Sequence, residues 1–222
     1  HAWLNKIPVY THEQTIFPGL SNRLISLIAK KVFVSFDKSR RFFPRRKVIL
    51  TGNPVRKSIG KNLKLLNKKN SKITVFISGG SLGSHSINVI ILKNLKKLLQ
   101  KYFIIHQSGN VNEFDDYRKL LEFKRKLPIK LKTNYFIREH FNSSQIGEIY
   151  SKADLLVSRA GANTIFELIA LQKPAVLIPL PWSANKEQER QARFLKENGV
   201  CEIFYQNQNH QKLNTIIDRV AN

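Results

Sequence analysis

Residues 73–84, "ITVFISGGSLGS", decide the fold. A short run that is almost wholly apolar and β-branched suits a strand covered on both faces. It ends in Gly79, Gly80 and Gly83, and a helical pattern follows over 84–100. Glycines at a strand end let the backbone turn sharply and approach a ligand. The helix behind them offers open N–H groups and a partial positive charge, which suit a phosphate. The loop is neither G-x-G-x-x-G nor a P-loop, since no G-K-[ST] follows. A tight glycine turn that serves packing alone is the alternative.

The same alternation continues downstream. "YFIIHQ", "TNYFI", "ADLLVS", "AVLIPL" and "CEIFY" read as further strands. Helical patterns over 113–126, 143–151, 164–172 and 186–198 lie between them, and a last one runs from 211 to the end. Strands separated by helices of this length imply right-handed βαβ units and a parallel sheet. Upstream, "IPVYT" (7–11), "KVFVSF" and "KVILTG" read as strands around the helix "LSNRLISLIAK". The polar, basic segment that opens on Asn53-Pro54 marks a turn and a boundary. The expected organisation is α/β throughout: 1–53 as the end of one Rossmann-like domain, 54–72 as a hinge, and 73–222 as a doubly wound domain. The opening "HAWLNKIPVYTHEQ" begins mid-pattern and the chain has no Met, so an N-terminally incomplete chain is expected.

Composition bounds the function. The 222 residues are 42% hydrophobic, enough for a sizeable core. No run of about 18 apolar residues predicts a membrane-spanning helix. The single cysteine, Cys201, excludes a disulfide framework and a cysteine-built zinc site. A formal charge of +23 favours anionic partners: nucleic acid, phosphate ligands or an acidic membrane. The basic residues cluster over 38–47, 61–72 and 124–132, but a Lys/Asn-rich composition with solvated faces explains them equally well. The six histidines are scattered, and no G-x-S-x-G elbow is present.

In an open parallel sheet, ligands sit at the carboxyl ends of the strands, so the strand-to-helix loops hold the candidates. In "SRAGANTIFE" (158–167), Thr164 and Glu167 have the spacing of a capping box. The rival reading leaves Gly161 and Ala162 bare for a phosphate and gives Glu167 a ribose diol. Arg159 neutralises charge or pairs with an acidic residue. In "PLPWSANKEQERQA", Gln188 can bond a sugar hydroxyl or start a solvated helix. His12 beside Glu13 is a weak candidate base. Arg56 of "TGNPVR" can reach a phosphate across the hinge.

Taken in order, "HEQTIFPGLSNR", "GNPVR", "GGSLGS", "HQSG", "SRAGANTIFE" and "NKEQERQA" resemble the bacterial undecaprenyldiphospho-muramoylpentapeptide β-N-acetylglucosaminyltransferase family, over about residues 5–205. The resemblance implies a GT-B arrangement of two Rossmann-like domains, and inverting transfer of N-acetylglucosamine from UDP-GlcNAc to the lipid I acceptor. It places Arg56 near the nucleotide-sugar, Ser81 on the diphosphate and the backbone of Ile137 on the uracil. It sets Ala162, Asn163, Thr164, Ile165 and Phe166 along the diphosphate and ribose, Glu167 on the ribose hydroxyls and Gln188 on the sugar. It implies no metal and no cofactor, helix N-termini serving the departing diphosphate instead. It implies no nucleic acid, and a peripheral position at the cytoplasmic face of the membrane, with the basic 38–47 segment toward anionic lipid. The chain departs from the family at Thr15, where Asn is usual, and at Glu187 and Gln191. These changes imply a sugar pocket altered more than the nucleotide pocket. By itself the chain is expected to bind the donor and transfer no sugar. A different GT-B enzyme, such as a UDP-sugar epimerase or glycolipid transferase, and a nucleic-acid-binding protein are the rival classes.

Overall fold

A computed structural model describes residues 3–59, 72–110 and 113–222. Most of the expected hinge, and nearly all of the basic cluster at 61–72, therefore lie outside the described residues.

The larger unit is one parallel sheet of six strands. These are β4 (Thr74–Ser78), β5 (Phe103–Gln107), β6 (Tyr135–Arg138), β7 (Leu155–Ser158), β8 (Ala175–Leu177) and β9 (Cys201–Ile203). Their order across the sheet is β6-β5-β4-β7-β8-β9. The chain thus starts in the middle, winds outward to one edge, returns, and winds to the other. That is the doubly wound Rossmann order, whose crevice lies where the direction reverses, between β4 and β7.

The period-2 geometry of strands builds two cores from one sheet. Val75 and Ile77 face one layer, with Ile87, Ile91 and Leu95 of α2 (His85–Lys101) and Leu213 and Ile217 of α8 (Lys212–Ala221). Phe76 faces the other, with Ile149 of α5 (Ser143–Lys152), Ile165 and Leu168 of α6 (Ala162–Leu171) and Leu195 of α7 (Glu187–Glu197). Each fully buried aliphatic side chain contributes about 1.5–3 kcal/mol. On the α2 face α3 (Asp116–Lys126) adds Leu120. The four-residue α4 (Ile129–Lys132) was not anticipated in the basic stretch that contains it.

α5 opens with a complete capping box. Asn142 Oδ1 accepts from the backbone N–H of Ser144 (3.1 Å) and Gln145 (2.9 Å), and the Asn142 N–H donates to Gln145 Oε1 at 3.1 Å. Asn142→Ala is expected to cost about 1 kcal/mol, lowering the melting temperature by about 2–4 °C for a chain of this size. A thermal melt checks this, and an unchanged Tm would refute it.

The amino-terminal unit is a smaller parallel sheet, β1 (Tyr10–Glu13), β2 (Lys31–Val34) and β3 (Val48–Leu50), with α1 (Leu20–Ile28) as the first crossover. The strand expected at 7–11 is displaced to Tyr10–Glu13. Its register is set by pairing Tyr10–Glu13 with Lys31–Val34, not by the local apolar pattern.

The two units pack closely. Phe36, from the loop after β2, inserts between Phe166 (ring centroids 4.9 Å apart) and Phe194 (5.7 Å). Asn53 Nδ2 donates to Asn163 Oδ1 at 2.9 Å. A Cβ on Gly147 would lie 2.4 Å from the carbonyl oxygen of Ser58, so a side chain there would push Ser58 off α5. The wall of the crevice is therefore built from both units.

Candidate functional site

A cavity of about 530 Å³ opens at the switch point. Its size fits a ligand of drug or nucleotide dimensions. One wall is the loop after β4. Gly80 there has φ +98°, with nothing within 4 Å of a built Cβ. Its N–H donates to Ser78 Oγ (3.1 Å), and its carbonyl accepts from Gln107 Nε2 (2.9 Å). Gln107 Oε1 also accepts from the N–H of Phe141 at 3.1 Å. One amide at the end of β5 thus ties the glycine loop to the loop after β6. Gly83 (φ +85°) lies against Gly109 (φ +76°). A Cβ on Gly83 would meet the Ser108 carbonyl oxygen at 2.2 Å, and one on Gly109 would meet that of Leu82 at 2.2 Å.

The opposite wall is the start of α6. Gly161 is its N-cap, in extended conformation, and no side chain caps this end. Nothing lies within 4 Å of a Cβ built on Gly161, so the first turn is bare toward the cavity. Its unsatisfied N–H groups, with those of α2, supply donors and positive potential on both sides of one space.

Glu167 lies one turn deeper, 4% exposed. Its Oε2 accepts from Tyr150 Oη at 2.8 Å, and its Oε1 lies 3.1 Å from Arg56 Nε. Burial raises its pKa above the usual 4.5, against the lowering effects of the Tyr150 hydroxyl and the Arg56 charge. The capping box expected at Thr164–Glu167 is not formed. The N-cap lies three residues earlier, at Gly161, which places Glu167 in the second turn with its side chain turned to Tyr150 of α5 and to Arg56.

Gln188 closes a third side. Its Oε1 accepts from the Leu180 N–H (3.1 Å), and its own N–H donates to Ser183 Oγ (3.3 Å). The preceding Asn185 and Lys186 both hold positive φ (51° and 53°). Such conformations cost about 1–3 kcal/mol each and gather at functional sites. Glu187, beside Gln188 in the wall, accepts from Gln191 Nε2 at 3.1 Å. Burial raises its pKa, and the nearby Glu13 carboxylate adds to this.

Arg56, Ser81, Ala162, Asn163, Thr164, Glu167 and Gln188 are brought together around one cavity. Five other candidates have side chains elsewhere. Ile165 is fully buried in the α6 core, and Phe166 packs on Phe36, because successive helical residues point to different faces. Ile137 is buried in the core on the α2 face, so only its backbone is available. Thr15 turns inward: its N–H and its hydroxyl both donate to Glu13 Oε1, at 2.9 and 2.7 Å. A short hydroxyl folds back on a neighbouring carboxylate where a longer amide would reach out. The adjacent Gln14, not singled out in the sequence, lines the cavity instead. His12 is also outside the wall. Its Nε2 is 3.1 Å from the Gly52 carbonyl oxygen and 3.1 Å from Ser35 Oγ, a contact between β1, β2 and the segment after β3.

Of the two readings of Arg159, pairing with an acidic residue is not what the structure shows. The residue meets no carboxylate among the described residues and is 8% exposed. Its Nη1 donates to the carbonyls of Ile178 (3.0 Å) and Pro179 (3.3 Å), and its Nη2 to Ser84 Oγ (2.7 Å) and Ser86 Oγ (2.6 Å). Tyr150 is left unmarked by the sequence, and Gln107 is marked there only as part of "HQSG". The alternation at "HQ" was the available signal for Gln107.

Residues 74–222 match the glycosyltransferase family 28 C-terminal domain. The chain belongs to glycosyltransferase family 28. The family 28 match covers the six-stranded unit and both glycine-bearing corners. The chain is 37% identical, over its full length, to a UDP-N-acetylglucosamine--N-acetylmuramyl-(pentapeptide) pyrophosphoryl-undecaprenol N-acetylglucosamine transferase from Thermodesulfovibrio yellowstonii, of which it covers 60%. A Bacillus cereus protein of the same name, numbered 2, is 35% identical over 92% of this chain and 56% of its own length. The crystal structure of Acinetobacter baumannii MurG superposes with a TM-score of 0.75 at 28% identity, over 100% of this chain and 60% of that one. This family 28 chain therefore spans less than two thirds of the relatives it matches.

Proposed function

We propose that this chain carries the donor-binding half of an N-acetylglucosaminyltransferase that acts on lipid-linked muramoyl-pentapeptide. It binds UDP-GlcNAc in the switch-point cavity, and the completed enzyme passes the sugar to lipid I with inversion. The observation that carries this is the pair of uncapped helix starts facing one cavity, with the buried Glu167 carboxylate in its wall. The N–H groups of the two corners hold the diphosphate. Glu167 accepts from the ribose hydroxyls, Arg56 crosses from the hinge, and Gln188 offers its amide N–H groups to the sugar. The names of the family 28 relatives supply the donor and the acceptor. Residues 1–53 act as the end of the acceptor domain and 54–72 as the hinge.

The amino-terminal unit rests against anionic lipid at the cytoplasmic face of the membrane. Leu20, Leu24 and Leu27 are exposed along one face of α1, with Arg23 and Arg41 beside them. An apolar stripe edged by arginine suits a lipid interface. No helix among the described residues is long and apolar enough to cross a membrane.

Titration of this chain with UDP-GlcNAc, UDP-glucose, random-sequence DNA and anionic vesicles tests the reading. UDP-GlcNAc is expected to bind tighter than UDP-glucose, vesicles to bind with an affinity that falls with salt, and DNA to show no saturable site. Indifference to both nucleotide-sugars would reject the donor role. Tight, salt-dependent DNA binding alone would favour the nucleic-acid class.

A further inference from the structure

The ring and the hydroxyl of Tyr150 serve different neighbours. The ring belongs to the core on the α6 side of the sheet, edge-on to Phe76 with centroids 5.5 Å apart. A phenylalanine would fill that place. The hydroxyl leaves the core and donates to Glu167 Oε2 at 2.8 Å, in the wall of the cavity. Burial, with the Glu167 charge and hydrogen bond, holds the phenol pKa well above its usual 10, so this group is a permanent O–H donor.

A buried tyrosine hydroxyl needs an acceptor, and a neutral carbonyl would satisfy it. A carboxylate in that place is costly, because a buried charge must be paired and hydrogen-bonded. A bridge between α5 and α6 accounts for one hydrogen bond. It does not account for a carboxylate that is 4% exposed and still lines the cavity. The other partner of Glu167 among the described residues is Arg56, whose side chain is 43% exposed. Tyr150 is therefore the lasting partner and Arg56 the exchangeable one. A carboxylate offers about four lone-pair sites, two on each oxygen. Tyr150 fills one on Oε2 and Arg56 one on Oε1. One site on each oxygen is left, which suits the paired hydroxyls of a cis-diol.

We infer that Tyr150 is a positioning residue that holds Glu167 for the cis-diol of the nucleotide, and so makes the site select ribose over a sugar lacking those hydroxyls. The inference rests on the nucleotide reading above and deepens it. The single O–H of Tyr150 is committed to Oε2, so it acts on the diol through Glu167. It fixes the plane of the carboxylate, and it favours the ionised form, as any donor to a carboxylate does.

The test is a titration of the full chain, wild type and Tyr150→Phe, with UDP, 2′,3′-dideoxyuridine 5′-diphosphate and inorganic pyrophosphate. The wild type is expected to prefer UDP over the dideoxy nucleotide by roughly 100-fold, as two hydrogen bonds to a charged group imply. In Tyr150→Phe that preference should fall to about 10-fold or less, while pyrophosphate, which has no hydroxyl for Glu167, changes by no more than about twofold. A pH profile adds a readout that packing alone does not move. Tyr150 from α5 and Arg56 from the segment after β3 lower the Glu167 pKa against the raising effect of burial. UDP-GlcNAc binding by the wild type should weaken as pH falls through the folded-state pKa of Glu167. In Tyr150→Phe, which removes one of the two lowering groups, the midpoint should move to higher pH.

An unchanged preference for UDP, or an unmoved midpoint, would reduce Tyr150 to core packing and overturn the inference. If the Phe variant does not fold, the NMR signal of the wild-type Tyr150 Cζ carries the test. It should shift on saturation with UDP and stay in place with pyrophosphate, and an equal response to both would overturn the inference. A wild type that binds UDP and the dideoxy nucleotide alike takes the diol away from Glu167, which overturns the inference and leaves the nucleotide reading standing. A wild type that binds none of the three overturns the nucleotide reading itself.

Discussion

Replacing Glu167 with glutamine is expected to weaken UDP-GlcNAc binding about a hundredfold while leaving the chain no less stable at neutral pH. The two effects have different origins. As the proposed acceptor for two ribose hydroxyls, the carboxylate makes hydrogen bonds worth about 1.5–3 kcal/mol each, which a neutral amide only partly replaces. Its stability effect follows from burial. The folded-state pKa of Glu167 is raised above 4.5, so the folded chain holds a proton that the unfolded chain releases. Stability then falls as pH rises from 4.5 through the folded-state pKa, and above that window the full penalty is present. Glutamine carries no such penalty and keeps an oxygen for the Tyr150 hydroxyl, 2.8 Å away in the native chain. Arg56 loses its partner, but it is partly exposed and water replaces it at little cost. Melting temperatures at pH 4 to 8, with a nucleotide titration at pH 7, check both halves. A variant that binds normally would remove Glu167 from the ligand. A melting profile that falls across the window as steeply as that of wild type would assign that slope to another group.

The second large effect is expected at the contact between glycines. Gly83→Ala forces a Cβ to 2.2 Å from the Ser108 carbonyl oxygen, and Gly109→Ala forces one to 2.2 Å from that of Leu82. Both positions also hold positive φ, +85° and +76°, where an alanine is strained. The obstructing atoms are backbone, so no side chain can swing aside. Strain and steric displacement together are expected to cost about 3 kcal/mol or more for either variant. For a chain of this length that is a fall of about 6–12 °C in Tm. Because these loops form one wall of the cavity, nucleotide binding should be lost along with stability. Gly161→Ala serves as the control, since a built Cβ there meets nothing within 4 Å and its φ of −70° is ordinary. Its melt should stay near that of wild type. If Gly83→Ala melts with wild type, the loops are not locked together as described.

Much of this was legible before any coordinates. Alternating apolar runs and helical patterns marked all six strands of the larger sheet, because a strand covered on both faces must be apolar at nearly every position. The glycine loops were visible because their conformations exclude other residues. Arg56, Ser81, Thr164, Glu167 and Gln188 were all named, and all reach one cavity. The expected capping box failed for a local reason: T-x-x-E spacing is equally compatible with a helix that starts three residues sooner. Thr15, where the sequence departs from the family pattern, turns its hydroxyl to the Glu13 carboxylate.

The chain's own pattern determined the parallel α/β class and the glycine-bearing strand ends, since period, glycine conformation and helix starts are properties of neighbouring residues. Only the tertiary structure decided which side chains face the cavity and what each is bonded to. Arg159 draws its partners from Ser84, Ser86, Ile178 and Pro179. Glu167 is framed by a tyrosine from one helix and an arginine from the segment after β3. Such groups meet because strands distant in sequence lie side by side in the sheet, and no local spacing encodes which carbonyl or hydroxyl a buried charge will meet there.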